Sequence, residues 1–133
     1  MAQIKTIRVV AAVLEKDGRY LITQRRATAV LPLMWEFPGG RVEGEETDAA
    51  ALKREVRHRL GAEIDVGKLI SFVSHPYDHY VVDLFLYECT LAPTSPLEAR
   101  NVANFVWATS AEFDQYPFTP ADEASMTKLL GVT

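Results

Sequence analysis

Residues 54–62 read REVRHRLGA, and they put a carboxylate, an imidazole and a guanidinium on neighbouring turns of one predicted helix. Glu55, His58 and Arg59 stand at i, i+3 and i+4, the spacing that brings helix side chains together on one face. A carboxylate at such a place is the kind of oxygen ligand that Mg²⁺ takes. A neutral imidazole suits Zn²⁺ or Mn²⁺ more than Mg²⁺. Arg59 brings a positive charge that no accessible pH removes. On residue types alone, Glu55 and Arg59 form an ordinary i,i+4 ion pair on a solvated helix face. Other candidates are weaker. His75 and His79 in SHPYDHY are four apart, but across a proline turn and with no third ligand in view, a poor metal site. Cys89 is the single cysteine, which excludes an internal disulfide, and in VVDLFLYECTL it reads as a buried strand thiol.

The elements that must hold these groups follow from pattern. Residues 4–14 (IKTIRVVAAVL) are rich in β-branched side chains and read as a strand, KDG as a hairpin turn, and YLITQRR as the returning strand. ATAVLPLM is a loop, and WEF is a short strand stopped at Pro38-Gly39-Gly40, where glycine permits positive φ and close approach of the backbone to a ligand. Residues 47–60 form the clearest helix. Thr47 is its N-cap, Asp48 favours the positive helix end, Gly61 is the C′ residue, and Ala49, Leu52, Val56 and Leu60 make the apolar stripe. EIDVGKLISFVSH and HYVVDLFLYECTL are two strands joined as a long hairpin through PYD, APTSPLEAR is a loop, and VANFVWAT is the last strand. Ser110 caps a short helix through Tyr116, and Thr119-Pro120 opens a final helix to Leu130. Strands, helix, strands, helix make a mixed α+β class, expected as a single domain over 1–133.

Composition bounds the partners. The chain has 133 residues, 48% hydrophobic and 24% charged, enough to bury a sizeable core. A net charge of −4 gives no footprint for a nucleic-acid polymer or an anionic membrane, and leaves room for a small anion held by a local arginine cluster. The apolar run near the N-terminus is too short for a signal peptide or a membrane span, so the expected location is cytoplasmic.

With the loop and helix in place, GRVEGEETDAAALKREVRHRLGA resembles the Nudix box. Gly40, Glu46, Arg54, Glu55, Val56 and Gly61 match that family's motif, and WEFPGGRVEGEE and VWATSAEFDQYPFTPADE resemble its MutT-like and CTP-pyrophosphohydrolase-like flanks, from about residue 7 to residue 130. The resemblance implies the Nudix fold, a mixed β-sheet packed between α-helices as an α/β/α sandwich. It also implies hydrolysis of a nucleoside di- or triphosphate with Mg²⁺ or Mn²⁺ held by three glutamates, of which this chain keeps only Glu55. His58 and Arg59 replace the other two, and Asn101, six residues before Trp107, stands where relatives offer a further glutamate. Glu98 is three residues out of register. Two unit charges about 4 Å apart interact by about 4 kcal/mol at an effective dielectric near 20, and a divalent ion beside Arg59 meets about twice that as repulsion. Either the box is a scaffold with solvated charges, or Arg59 sits in the vacated metal site paired with Glu55.

The same resemblance makes Glu46 and Arg54 a brace between loop and helix, with Gly40 and Gly61 structural. It makes Arg25 and Phe37 the lining of a base pocket and Asp122 a reader of the base edge. The alternatives are an exposed strand residue for Arg25, a core aromatic for Phe37 and a helix-terminal carboxylate for Asp122. The leading reading is a Nudix-fold protein that binds a nucleotide, with metal-dependent hydrolysis impaired or lost and no cofactor needed. The rivals are a slow hydrolase using Glu55, the Gly39 carbonyl and His58 around Mg²⁺ or Mn²⁺, and a monomeric or homodimeric protein-interaction domain.

Overall fold

The computed structural model describes residues 4–130, with side chains described through Met126. The ends of the expected domain, 1–3 and 131–133, lie outside the described residues.

A buried strand organises everything else. β1 (Lys5–Lys16) carries the run Val10–Leu14, buried throughout. Its side chains alternate by the two-residue period of a strand. Val10, Ala12 and Leu14 join one core with Ala51, Leu52, Val56 and Leu60 of α1 (Asp48–Leu60). Ala11 and Val13 join a second core with Phe37, Phe113, Phe118 and Ala121. A strand covered on both faces has no place for polar residues, which is why this stretch reads VVAAVL. Each fully buried Val or Leu contributes about 1.5–3 kcal/mol relative to exposure.

β1 pairs in parallel with β6 (Tyr80–Leu91) from Lys5↔Tyr80 to Leu14↔Cys89. β5 (Ile64–Pro76) is antiparallel to β6, and the connecting turn closes through the Tyr77 N–H donating to the Tyr80 carbonyl at 2.7 Å. The far end of β1 turns at Asp17 and Gly18, both at positive φ (53° and 76°), into β2 (Arg19–Gln24). That two-residue turn matches the twist of its flanking strands. β2 in turn pairs with β3 (Trp35–Glu36) and with β7 (Asn104–Ala108). α1 covers one face of the sheet. A 3₁₀ helix (Ser110–Gln115) and α2 (Pro120–Leu130) cover the other, completing the mixed α/β/α arrangement.

Three local expectations are corrected. The chain does not stop at the double glycine: Gly39–Arg41 form β4, antiparallel to Val9–Ala11 of β1. Neither Gly39 nor Gly40 has positive φ, and the close approach they permit is to the protein itself. A Cβ on Gly39 would lie 2.0 Å from the Val10 carbonyl oxygen, and one on Gly40 would lie 2.3 Å from Glu55 Oε2. Second, Ala49 is exposed, and the buried face of α1 is Ala51, Leu52, Glu55, Val56 and Leu60. The face is rotated toward β4 and includes a carboxylate. Third, the short helix begins one residue earlier than expected. Thr109, not Ser110, is its N-cap, and the Glu112 carboxylate accepts from the Thr109 N–H (2.9 Å) and hydroxyl (2.8 Å). Around α1 itself, the Thr47 hydroxyl accepts from the Ala50 N–H, and Gly61 at φ 67° closes the C-terminus.

Candidate functional site

The buried face of α1, the glycine strand β4 and the end of β2 meet at one chain of alternating charges. Arg54 is bidentate to Glu46 (2.7 and 2.9 Å) and also donates to the Arg41 carbonyl (2.9 Å) and to Glu55 Oε1 (2.5 Å). The second Glu55 oxygen accepts from Arg59 Nε at 2.8 Å. Arg59 Nη1 continues to Glu36 Oε2 at 3.5 Å, and Glu36 accepts from Arg25 Nη1 at 3.1 and 3.3 Å. The Arg25 Nε donates to the Val30 carbonyl at 2.6 Å and so anchors the loop before β3. Arg54 holds the Glu46 carboxyl below its ordinary range, and Glu46 with Glu55 raises the Arg54 guanidinium. Glu46 also accepts from the Glu43 N–H at 2.9 Å, so this pair ties the 43–46 loop to the helix.

His58 is tied to Asn101 rather than to Glu55. It is exposed, and its Nε2 lies 2.6 Å from Asn101 Nδ2. Arg26 Nη1 donates to Asn101 Oδ1 at 2.6 Å, which fixes the amide orientation and leaves His58 Nε2 as the acceptor. Asn101 is carried there by its own backbone: the Arg100 and Asn101 N–H groups donate to the Arg59 carbonyl (3.0 and 3.1 Å), and the Glu98 N–H to that of Leu60 (2.9 Å). The Glu98 carboxylate turns to Arg100 at 3.3 Å. Gly39 and Gly40 line the cleft beside Arg59, Glu36 and Arg25.

This donor set does not fit Mg²⁺ or Mn²⁺. Both Glu55 oxygens are held by guanidiniums, the free-pair nitrogen of His58 is engaged by an amide, and the position between Glu55 and Glu36 holds Arg59. Among the described residues no three His, Cys, Asp or Glu side chains converge as a metal-holding group. His75 packs edge-on against Tyr77 at 4.8 Å instead. Cys89 is buried, and burial pushes its thiol up to about 11.

At the other end the cleft opens into a pocket of about 340 Å³ lined by Arg25, Glu36, Tyr77, Tyr80 and Asp122, with Val82 and Leu84 among its apolar walls. Tyr77 and Tyr80 stack at 5.1 Å and 20°. Asp122 lies in the first turn of α2, where it accepts from the Phe37 N–H (3.0 Å) and the Thr119 hydroxyl (2.7 Å). Burial, then the nearby Glu36, push its carboxyl from an ordinary 3.8 up to about 7. Burial likewise raises Glu36, against the lowering pull of Arg25 and Arg59.

Of the two readings of Phe37 the core aromatic fits its packing, although the residue also borders the cleft beside Gly39 and Gly40. Phe37 is 2% exposed, and its ring packs against Phe113 and Phe118 in the core. Trp35 and Phe37 both turn into that core, and Glu36 between them faces the cleft. Glu36 was missed by residue reasoning, although strand alternation between two buried aromatics is a usable signal for it. Arg26, Arg41 and Asn101 as a hydrogen-bonding partner of His58 were missed as well, because loop pairing decides their direction.

The described residues contain no helix long and apolar enough to cross a membrane. The chain is 36% identical over 121 residues to a CTP pyrophosphohydrolase of Escherichia coli (strain K12), covering 90% of this chain and 87% of that protein. It is 28% identical over 130 residues to an 8-oxo-dGTP diphosphatase of Haemophilus influenzae, covering 97% and 95%. Among solved structures, the E. coli ORF135 protein superposes with a TM-score of 0.80 at 34% identity, over 97% of this chain and 91% of that one. The NUDIX domain family model matches residues 9–128, and with these likenesses the chain belongs to the Nudix family, as a protein that resembles its nucleoside triphosphate pyrophosphohydrolases.

Proposed function

We propose that this protein binds a nucleoside triphosphate or a related nucleotide and that its metal-dependent pyrophosphohydrolysis is impaired or lost. One observation carries the reading: the Glu55 carboxylate is engaged on both oxygens by Arg54 and Arg59, and Arg59 also reaches Glu36. In-line attack on a phosphoanhydride needs the charge on the phosphates neutralised and a water activated, the work of divalent ions in a site of oxygen ligands. A guanidinium locked onto the one retained carboxylate neutralises charge but activates no water.

The pocket beyond Arg25 supports nucleotide binding. Its volume suits a base, its walls are apolar and aromatic, and its polar groups are few and convergent. Tyr77 and Tyr80, rather than Phe37, are the aromatic surfaces a base would meet. Asp122, when protonated, donates to a ring nitrogen or carbonyl, and when ionised it accepts from an exocyclic amine. The named relatives act on CTP in one case and 8-oxo-dGTP in the other, so both a cytosine and an oxidised purine belong in the test.

The test is calorimetry with CTP, 8-oxo-dGTP and the common nucleotides, in EDTA and in Mg²⁺, alongside pyrophosphate release. Binding of at least one nucleotide in EDTA without turnover in Mg²⁺ is the expected result. Turnover at rates typical of enzymes, or no binding across the panel, contradicts it.

A further inference from the structure

Arg59 and Asn101, at two positions where the resemblance expects carboxylates, line a further cavity. This cavity of about 330 Å³ beside α1 is lined by Arg25, Arg26, Thr28, Ala29, Arg59 and Asn101, with no carboxylate in its wall. Four arginines of this region, Arg25, Arg26, Arg54 and Arg59, face three glutamates, Glu36, Glu46 and Glu55, so the network carries a surplus positive charge in a chain whose net charge is −4. The glutamates hold one edge of the Arg25, Arg54 and Arg59 guanidiniums. Among the described residues, Nη2 of Arg25 and of Arg59 makes no hydrogen bond. Arg26 is exposed and is steadied by Asn101 Oδ1 (2.6 Å) and the Thr28 hydroxyl (3.3 Å).

The cavity also shares walls with the cleft. Arg25 and Arg59 belong equally to the neighbouring space beside Gly39 and Gly40, which shares Arg25, Glu36, Arg41 and Asp122 with the tyrosine-lined pocket. Arg25 lines all three spaces, from the tyrosine-lined pocket to the cavity at Arg26 and Arg59. Guanidiniums pre-oriented by carboxylates present paired N–H donors at the geometry of phosphate oxygens, with little ordering left to do on binding.

We propose that this arginine pocket binds the terminal phosphates of a polyphosphate directly, with no divalent ion between protein and ligand. The proposal rests on the nucleotide-binding reading for the identity of the ligand, and its chemistry is tested without a nucleoside. The replacements at the box then convert a metal-mediated phosphate grip into a direct one, which holds the phosphates and supplies no activated water.

The experiment is calorimetry of the full chain with inorganic triphosphate in EDTA, at low and at high salt. Binding that weakens with salt is expected. Arg26→Ala should lose about tenfold or more, as for one charge-assisted hydrogen-bonding group, and Arg26→Lys should recover part of it. Arg26 stands outside the Glu46–Arg54–Glu55–Arg59 chain, so its loss leaves the fold intact, checked by an unchanged melting temperature. No triphosphate binding in EDTA, or binding that ignores both Arg26→Ala and Arg26→Glu, overturns the proposal. Nucleotides add the second arm. Mono- and triphosphates bound equally tightly, with triphosphate itself unbound, overturn the arginine pocket and leave nucleotide binding standing. Triphosphate bound in the Arg26-dependent way, with no nucleotide held more tightly, upholds the pocket as a site for inorganic polyphosphate and overturns the nucleotide reading.

Discussion

Glu55 and Asp122 are both buried carboxyls, 7% and 6% exposed, one behind Gly40 and Arg59 and the other in the cleft wall, and they are accommodated in opposite ways. Glu55 is held between two guanidiniums and lies against a glycine that leaves room for it. Asp122 has a hydroxyl and a backbone N–H for partners and another acid, Glu36, for a neighbour. One end of the cleft therefore solves the cost of burial with cations and the other with a proton. A buried charge must be compensated locally, and the choice decides what a ligand meets: fixed donors at the Glu55 end, a switchable donor or acceptor at the Asp122 end.

The largest expected effect tests the scaffold of the Asp122 end. Phe37→Ala should cost about 3–5 kcal/mol of stability, the range for an aromatic removed from a packed core. A loss below about 1 kcal/mol by chemical denaturation would mean that the ring is not the core element that fixes the backbone N–H donating to Asp122.

At the Glu55 end, Gly40→Ala should destabilise by about 1–3 kcal/mol, because the new Cβ meets a carboxylate pinned by two arginines. Gly39→Ala should be worse, since its clash is with the Val10 carbonyl and Ala11 Cα, which are backbone. Equal melting temperatures for Gly40→Ala and the parent would show that Glu55 swings away freely.

The two ends also differ in their response to pH. Asp122 has a folded-state value of about 7 against an ordinary 3.8, so between those values the folded chain binds more protons than the unfolded one. Stability therefore falls as pH rises from about 4 to about 7 and is level above that, as far as this group is concerned. Asp122→Asn should remove that part of the slope, measured as denaturation midpoints at about pH 5 and about pH 8. An unchanged slope would place the proton elsewhere, with Glu36 the first alternative.

Sequence reasoning reached the frame through elements whose signals are local. IKTIRVVAAVL announces a strand, KDG its turn, and Thr47 with Gly61 the bounds of α1, because capping and β-branched runs are properties of adjacent residues. It failed where a partner far along the chain decides. Pro38-Gly39-Gly40 reads as a strand stop, yet β1 draws Gly39 and Gly40 into a strand. Ala49 belongs to the apolar stripe by spacing, yet α1 rolls so that Glu55 meets Gly40. The i,i+4 pairing of Glu55 with Arg59 was legible, but its extension to Glu36 and Arg25 was not, since β2 and β3 bring those residues in from elsewhere.

The central claim is that Arg59 and His58 leave Glu55 unable to support metal-dependent hydrolysis, and one comparison tests it most directly. Pyrophosphate release from the nucleotide panel is measured in saturating Mg²⁺ for the parent and for His58→Glu combined with Arg59→Glu. The account predicts a near-silent parent and a gain of at least about tenfold in the double variant, as oxygen ligands for the ion are restored. A parent that already turns over at about 1 s⁻¹ or faster, within the range of ordinary enzymes, would contradict it.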